Sequence, residues 1–115
     1  MTFEDFIAEN KVKKTVVDTE KIKALVSNSE AYLESLSRIK IDKINSSLIA
    51  SSYYESLRMI IEAIALKYGY NVYSHEAFTT FIYEILQEDL ISKKFDRLRK
   101  IRNRINIFVI CPFGK

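Results

Sequence analysis

The residues with most chemical content lie near the C-terminal end, in Phe95-Asp-Arg-Leu-Arg-Lys-Ile-Arg-Asn-Arg-Ile-Asn-Ile-Phe108. At about 100° of rotation per residue, Ile91, Phe95, Leu98, Ile101, Ile105 and Phe108 form one apolar stripe, and Arg97, Lys100 and Arg104 fall opposite. Arg102 does not join them. It follows Leu98 by four positions and precedes Ile105 by three, which sets it within or beside the inward stripe. Desolvating a guanidinium costs several kcal/mol unless it is paired, so Arg102 is expected either to meet a buried carboxylate or to reach into a site. Glu55, Arg58 and Glu62 recur at helical spacing in a segment that is apolar around most of its circumference. On the surface such a trio would be ordinary ion pairs worth a few tenths of a kcal/mol. Partly buried, Glu62 or Glu55 would be the partner of Arg102.

Other candidates are weaker. His75, the sole histidine, directly follows Ser74, a good helix N-cap, and reads as a capping or packing residue rather than a catalytic one. No Cys/His spacing suggests zinc, and no other metal or cofactor is expected. The chain lacks a glycine-rich phosphate loop, a serine-nucleophile elbow and a paired-carboxylate motif. Tyrosines could stack on bases, but Tyr53 and Tyr54 fall at core spacing and are expected to pack. Tyr68, Tyr70 and Tyr73, around Gly69, are expected to be partly exposed.

The elements that must position these residues are helices. Two glycines and one proline in 115 residues imply a few long helices in one domain. Thr2 and Asp5 resemble the start of a short helix. Residues 11–17 are β-branched without a helical period and read as an extended connector. Asp18 caps a helix of about five turns carrying Ile22, Leu25, Val26, Ala31, Leu33, Leu36 and Ile39. Residues 41–43 form a short connection. Asn45, Ser46 or Ser47 opens a central helix running to Tyr68, with Gly69 in the left-handed position that ends it. A loop over 70–73, a helix from His75 to about Gln87, and a last helix to about Phe108 follow. The expected fold is all-α: an antiparallel up-and-down bundle of four main helices plus a short N-terminal helix. Within residues 1–115, residues 1–17 form the short helix and connector, 18–108 the bundle and 109–115 a tail.

Charge is unevenly spread. Residues 1–92 hold 10 Lys/Arg against 14 Asp/Glu, whereas residues 93–115 hold 8 against one, for a net charge of +3. The basic end is either a solvated helix face or a phosphate-contacting surface. A single cysteine, Cys111, permits no internal disulfide. With no apolar run of membrane-spanning length and an acidic N-terminus unlike a signal peptide, a soluble cytoplasmic protein is expected, without membrane partners.

Three segments together resemble a known family. Ala50 to Tyr70, with Tyr53-Tyr-Glu-Ser-Leu-Arg58 inside it, is similar to the central helix of archaeal HEPN domains (higher eukaryotes and prokaryotes nucleotide-binding). Tyr73-Ser-His-Glu-Ala77 resembles the start of their next helix. Phe95 to Asn106, with Arg102-Asn103, resembles their terminal signature helix. The resemblance runs from about residue 18 to 108. It implies a dimerising helical bundle with its cleft at the two-fold interface. Its members are ribonucleases or partners of minimal nucleotidyltransferases in toxin–antitoxin modules. Arg102 matches the signature arginine and Asn103 the polar residue after it. The histidine that follows in active members is missing, since positions 107–109 are Ile107, Phe108 and Val109. Proton transfer near neutral pH needs such a group, so the resemblance implies a homodimer that binds nucleotide, RNA or a nucleotidyltransferase without catalysis. Arg102 and Asn103 would line the cleft, with Glu62 and Arg58 nearby and Arg99 and Arg104 at a basic rim. The alternatives are a metal-independent ribonuclease toxin using Arg102, and a structural subunit in which Arg102 is only an ion-pair partner.

Overall fold

In a computed structural model, the backbone of residues 1–110 and the side chains of residues 1–104 are described. The expected tail, 109–115, and the stripe positions Ile105 and Phe108 therefore lie outside the described side chains. The chain folds as a mostly helical structure with one small ribbon: α1 (Phe3–Ala8), β1 (Val12–Lys14), α2 (Thr19–Ser37), α3 (Ser46–Lys67), β2 (Tyr70–Val72), α4 (His75–Thr80) continued by a π-helical stretch (Phe81–Ile85), and α5 (Asp89–Ile110).

Local chemistry sets most boundaries. Thr2 and Asp5 form a reciprocal capping box on α1. The Asp18 carboxylate accepts from Lys21 N at 3.1 Å, and the Ser74 hydroxyl accepts from Ala77 N at 3.4 Å. Gly69 ends α3 at φ +88°, a conformation that costs glycine little. Asn45 precedes α3 but does not cap it through its side chain. Its amide instead locks the turn, accepting from Asp42 N and donating to the Lys40 carbonyl.

Three expectations need correction. The connector over 11–17 and the loop over 70–73 are not independent. Val12–Lys14 pairs antiparallel with Tyr70–Val72, in the register Val12↔Val72 and Lys14↔Tyr70. Each strand has only three residues, too few for alternation to register in the sequence. The helix expected to run from His75 to Gln87 leaves α-geometry at Phe81, where Leu86 N donates to the Phe81 carbonyl five residues back at 3.1 Å. The wider turn keeps the adjacent side chains of Phe81 and Ile82 both in the core. Finally, α2 is an outer helix. It packs on α3 through buried Ser29 and Leu36, while Ala31, Leu33 and Ile39 remain exposed.

The core gathers Phe3 and Phe6 of α1, Val12 and Val72 of the ribbon, Tyr54, Ile61 and Ala65 of α3, Ala77, Phe78, Phe81 and Ile82 from α4 and its continuation, and Phe95 of α5. The ribbon pins the segment before α4 to this core, because Tyr73 N donates to the Lys11 carbonyl at 2.8 Å. Among the described residues, no helix is long and apolar enough to cross a membrane.

Candidate functional site

On α5 the inward line runs through Ser92 and Phe95 to Arg102, with Leu98 partly covered. Arg102 is inward as expected, its side chain 19% exposed. Arg97, Lys100 and Arg104 face solvent. Among the described positions of the apolar stripe, Ile91 and Ile101 are exposed, as are Tyr53 and Leu57 of α3, all expected to pack.

Arg102 ends against α3 and the first residue of α4. Its Nη2 lies 3.4 Å from Glu55 Oε1 and 2.9 Å from His75 Nε2, and Nη1 donates to Asn103 Oδ1 at 3.1 Å. The guanidinium carbon sits 5.4 Å from the Tyr54 ring centroid, within cation–π range. Of the two carboxylates expected as partners, Glu55 is the one, held loosely. Glu62 belongs to Arg58, which also bonds Glu55 at 3.0 Å. Glu55, Arg58, Glu62, Val72, Tyr73, Ser74, His75, Phe78 and Arg102 line one pocket of about 180 Å³.

His75 packs against Tyr54 and Phe78, as the packing role read from sequence expected, and it also faces Arg102. Its Nδ1 is 2.8 Å from the Tyr54 hydroxyl, and its ring meets Phe78 edge-on. Arg102 offers only N–H donors, so Nε2 must present its lone pair. Nδ1 then carries the proton and donates to the Tyr54 hydroxyl oxygen. Burial, and then the Arg102 charge, hold the His75 pKa below its ordinary 6.5. Tyr54 is buried, and burial pushes its phenol up to about 12 against the opposing pull of Arg102. At neutral pH both groups are uncharged. The site thus holds a neutral imidazole of fixed tautomer beside a guanidinium, behind an Arg58 clamped by two carboxylates.

The other expected rim residues do not line this pocket. Arg99 turns to Asp96 at 2.9 Å and toward Glu76 at 3.9 Å, and Arg104 is exposed. Burial opposes ionisation of Asp96, but hydrogen bonds from Arg99 and Lys100 outweigh it and hold its carboxyl below the ordinary value. Among the described residues, no group of three His, Cys, Asp or Glu is placed to hold a metal.

Sequence reasoning missed the pairing of His75 with Arg102, which are 27 positions apart. The only local signal was the Ser74 cap, which fixes His75 as the first residue of α4. No protein-family model, curated protein or solved structure matches this chain.

Proposed function

We propose that this chain is a HEPN-like protein that works as a homodimer and binds a phosphate of a nucleotide or of RNA in the Arg102 pocket, in a toxin–antitoxin-like module with a nucleotidyltransferase partner. One observation carries the binding reading: two guanidinium groups from different helices converge on one small polar pocket, and only one of them is held between two carboxylates. Arg58 is clamped by Glu55 and Glu62, whereas Arg102 has a single carboxylate at 3.4 Å, Glu55, and is otherwise held by uncharged acceptors, His75 Nε2 at 2.9 Å and Asn103 Oδ1 at 3.1 Å. Arg102 is therefore the exchangeable cation. An incoming phosphate oxygen would replace uncharged Nε2 with a charge-assisted, bidentate partner. The resemblance of Ala50 to Tyr70 and Phe95 to Asn106 to HEPN helices supplies the ligand class, the dimer and the nucleotidyltransferase partner.

The direct test is binding of a labelled single-stranded RNA by anisotropy, with Arg102→Ala beside the parent chain. Loss of about tenfold or more in affinity is expected, corresponding to about 1.4 kcal/mol. Equal affinities would sink the pocket as the phosphate site. If the variant instead melts several degrees lower with binding intact, Arg102 is a structural ion-pair partner.

A second reading, metal-independent RNA cleavage, is favoured by the His75–Arg102 contact. The proton acceptor missing from positions 107–109 has a counterpart on α4. Once phosphate engages Arg102, Nε2 is free to accept the proton of a ribose 2′-hydroxyl. The 2′-oxygen then attacks phosphorus, the bond to the 5′-oxygen breaks, and that leaving oxygen takes a proton from the imidazolium. The product is a 2′,3′-cyclic phosphate. Cleavage in the presence of a chelator, abolished by His75→Ala, would establish this reading. RNA binding without cleavage would leave the chain a binding protein.

A further inference from the structure

The pocket is too small for a whole nucleotide. At about 180 Å³ it falls below the roughly 300 Å³ at which pockets begin to enclose drug-sized ligands. Arg102, the exchangeable cation, suits the phosphate while Arg58 stays with Glu55 and Glu62, so the rest of a nucleotide must lie across the rim. The rim is where the β1–β2 ribbon matters. Tyr73, the residue after β2, lines the pocket yet is 60% exposed. Its backbone is fixed on both sides, by the bond from Tyr73 N to the Lys11 carbonyl and by the Ser74 cap of α4. Lys13 of β1 holds its ammonium 5.8 Å from the Tyr73 ring centroid. An exposed, anchored aromatic ring between a lysine and an arginine-lined pocket is the arrangement by which single-stranded nucleic acids are held, the base stacked and the backbone neutralised.

Tyr68 and Tyr83, the other tyrosines more than half exposed among the described residues, lack these companions. Tyr68 leans edge-on against Phe81. Tyr83 borders a hollow with Glu84, Gln87 and Asp89, whose lining holds carboxylates but no arginine, whereas Arg58 and Arg102 offset Glu55 and Glu62 in the Arg102 pocket. We infer that Tyr73 is the nucleobase platform of the Arg102 pocket. The ligand is a nucleotide, with purines preferred for their larger stacking face. It is either a free mononucleotide or the terminal unit of a single strand. This assignment rests on the phosphate reading above.

Calorimetric titration with inorganic phosphate, ribose 5-phosphate, AMP and a short oligoadenylate separates the possibilities. AMP should bind roughly tenfold tighter than ribose 5-phosphate, the lower range of one stacked base. Tyr73→Ala should erase that difference, and Tyr73→Phe should preserve it. The chain has no tryptophan, so emission from Tyr73→Trp should be quenched by AMP and not by ribose 5-phosphate. Oligoadenylate tighter than AMP assigns the ligand to a strand, and equal affinity assigns it to a free nucleotide. Equal binding of AMP and ribose 5-phosphate would overturn the platform while the phosphate site stands. No binding by any of the four would remove both.

Discussion

Acidification should destabilise this fold through His75, and the effect can be isolated because the chain has no other histidine. The folded site requires the neutral ring, since Nε2 accepts from Arg102 at 2.9 Å. Protonation would remove that acceptor and set a second cation against the guanidinium. The folded-state pKa is therefore below the unfolded value of about 6.5. Between the two values the unfolded chain binds a proton that the folded chain does not, so stability falls as pH falls from about 6.5 and levels off below the folded pKa. The ceiling on the slope is about 1.4 kcal/mol per pH unit. Taking an unfolding entropy of about 2.1 cal/mol/K per residue, a chain of this length loses roughly 6 °C in Tm per pH unit at that ceiling. The pocket opens to solvent, so the realised slope should be smaller. Asp5 and Asp96 act in a separate window. Both carboxyls are held below their ordinary value, so the stability they add is lost only as pH falls below about 4. Thermal melts by circular dichroism between pH 8 and pH 5 should show the decline in the parent chain and a flatter profile in His75→Asn. The histidine Hε1 resonance should titrate below 6.5. Titration at or above that value, or an unchanged slope in His75→Asn, would refute the neutral-acceptor geometry.

Three further outcomes follow from the fold. Gly69→Ala should cost about 1 kcal/mol in urea unfolding, because φ is +88° there; the added Cβ would meet Thr15 O at an ordinary 3.5 Å, so no clash adds to the strain. Ser29 and Ser56 exchange buried hydrogen bonds, their hydroxyls 2.9 Å apart, so either change to alanine alone should cost about 1–2 kcal/mol. The double variant should cost less than the sum, and strict additivity would dissolve the pair. Ile44→Lys should leave stability within about 0.5 kcal/mol, since Ile44 is 93% exposed at the turn between α2 and α3.

The helical class and most helix limits could be read from the sequence because they rest on local chemistry. Caps at Thr2, Asp18 and Ser74 act over three residues, and Gly69 acts on its own φ. The rotation of α5 was legible too, for the same local reason: Arg102 inward, with Arg97, Lys100 and Arg104 outward. What joins distant segments was not. Three-residue strands carry no periodic signal, so the ribbon that sets Tyr73 on the pocket rim was invisible. His75 meets Arg102 only because α4 starts beside α3 where α5 crosses it, and no spacing encodes that. The choice of Glu55 over Glu62 has the same origin, for both carboxylates lie within reach of Arg58 along one helix and only tertiary placement divides them.

The failures of the apolar pattern carry more weight. A 3.6-residue period records which side chains share a helix face, and it marks Tyr53 and Leu57 on α3 and Ile91 and Ile101 on α5 as inward. In the single chain all four are exposed. Isolated exposed apolar residues are ordinary on any surface, but these lie at stripe positions on two of the helices that line the Arg102 pocket. If the proposed homodimer forms, these four positions are where its interface is to be sought. Light scattering at micromolar concentration should then give twice the 13.4 kDa chain mass, and Leu57→Lys with Ile101→Lys should return the mass to that of one chain while the far-ultraviolet spectrum is kept. A monomeric parent chain would leave those four positions without a partner and would restrict the site to the residues of a single pocket.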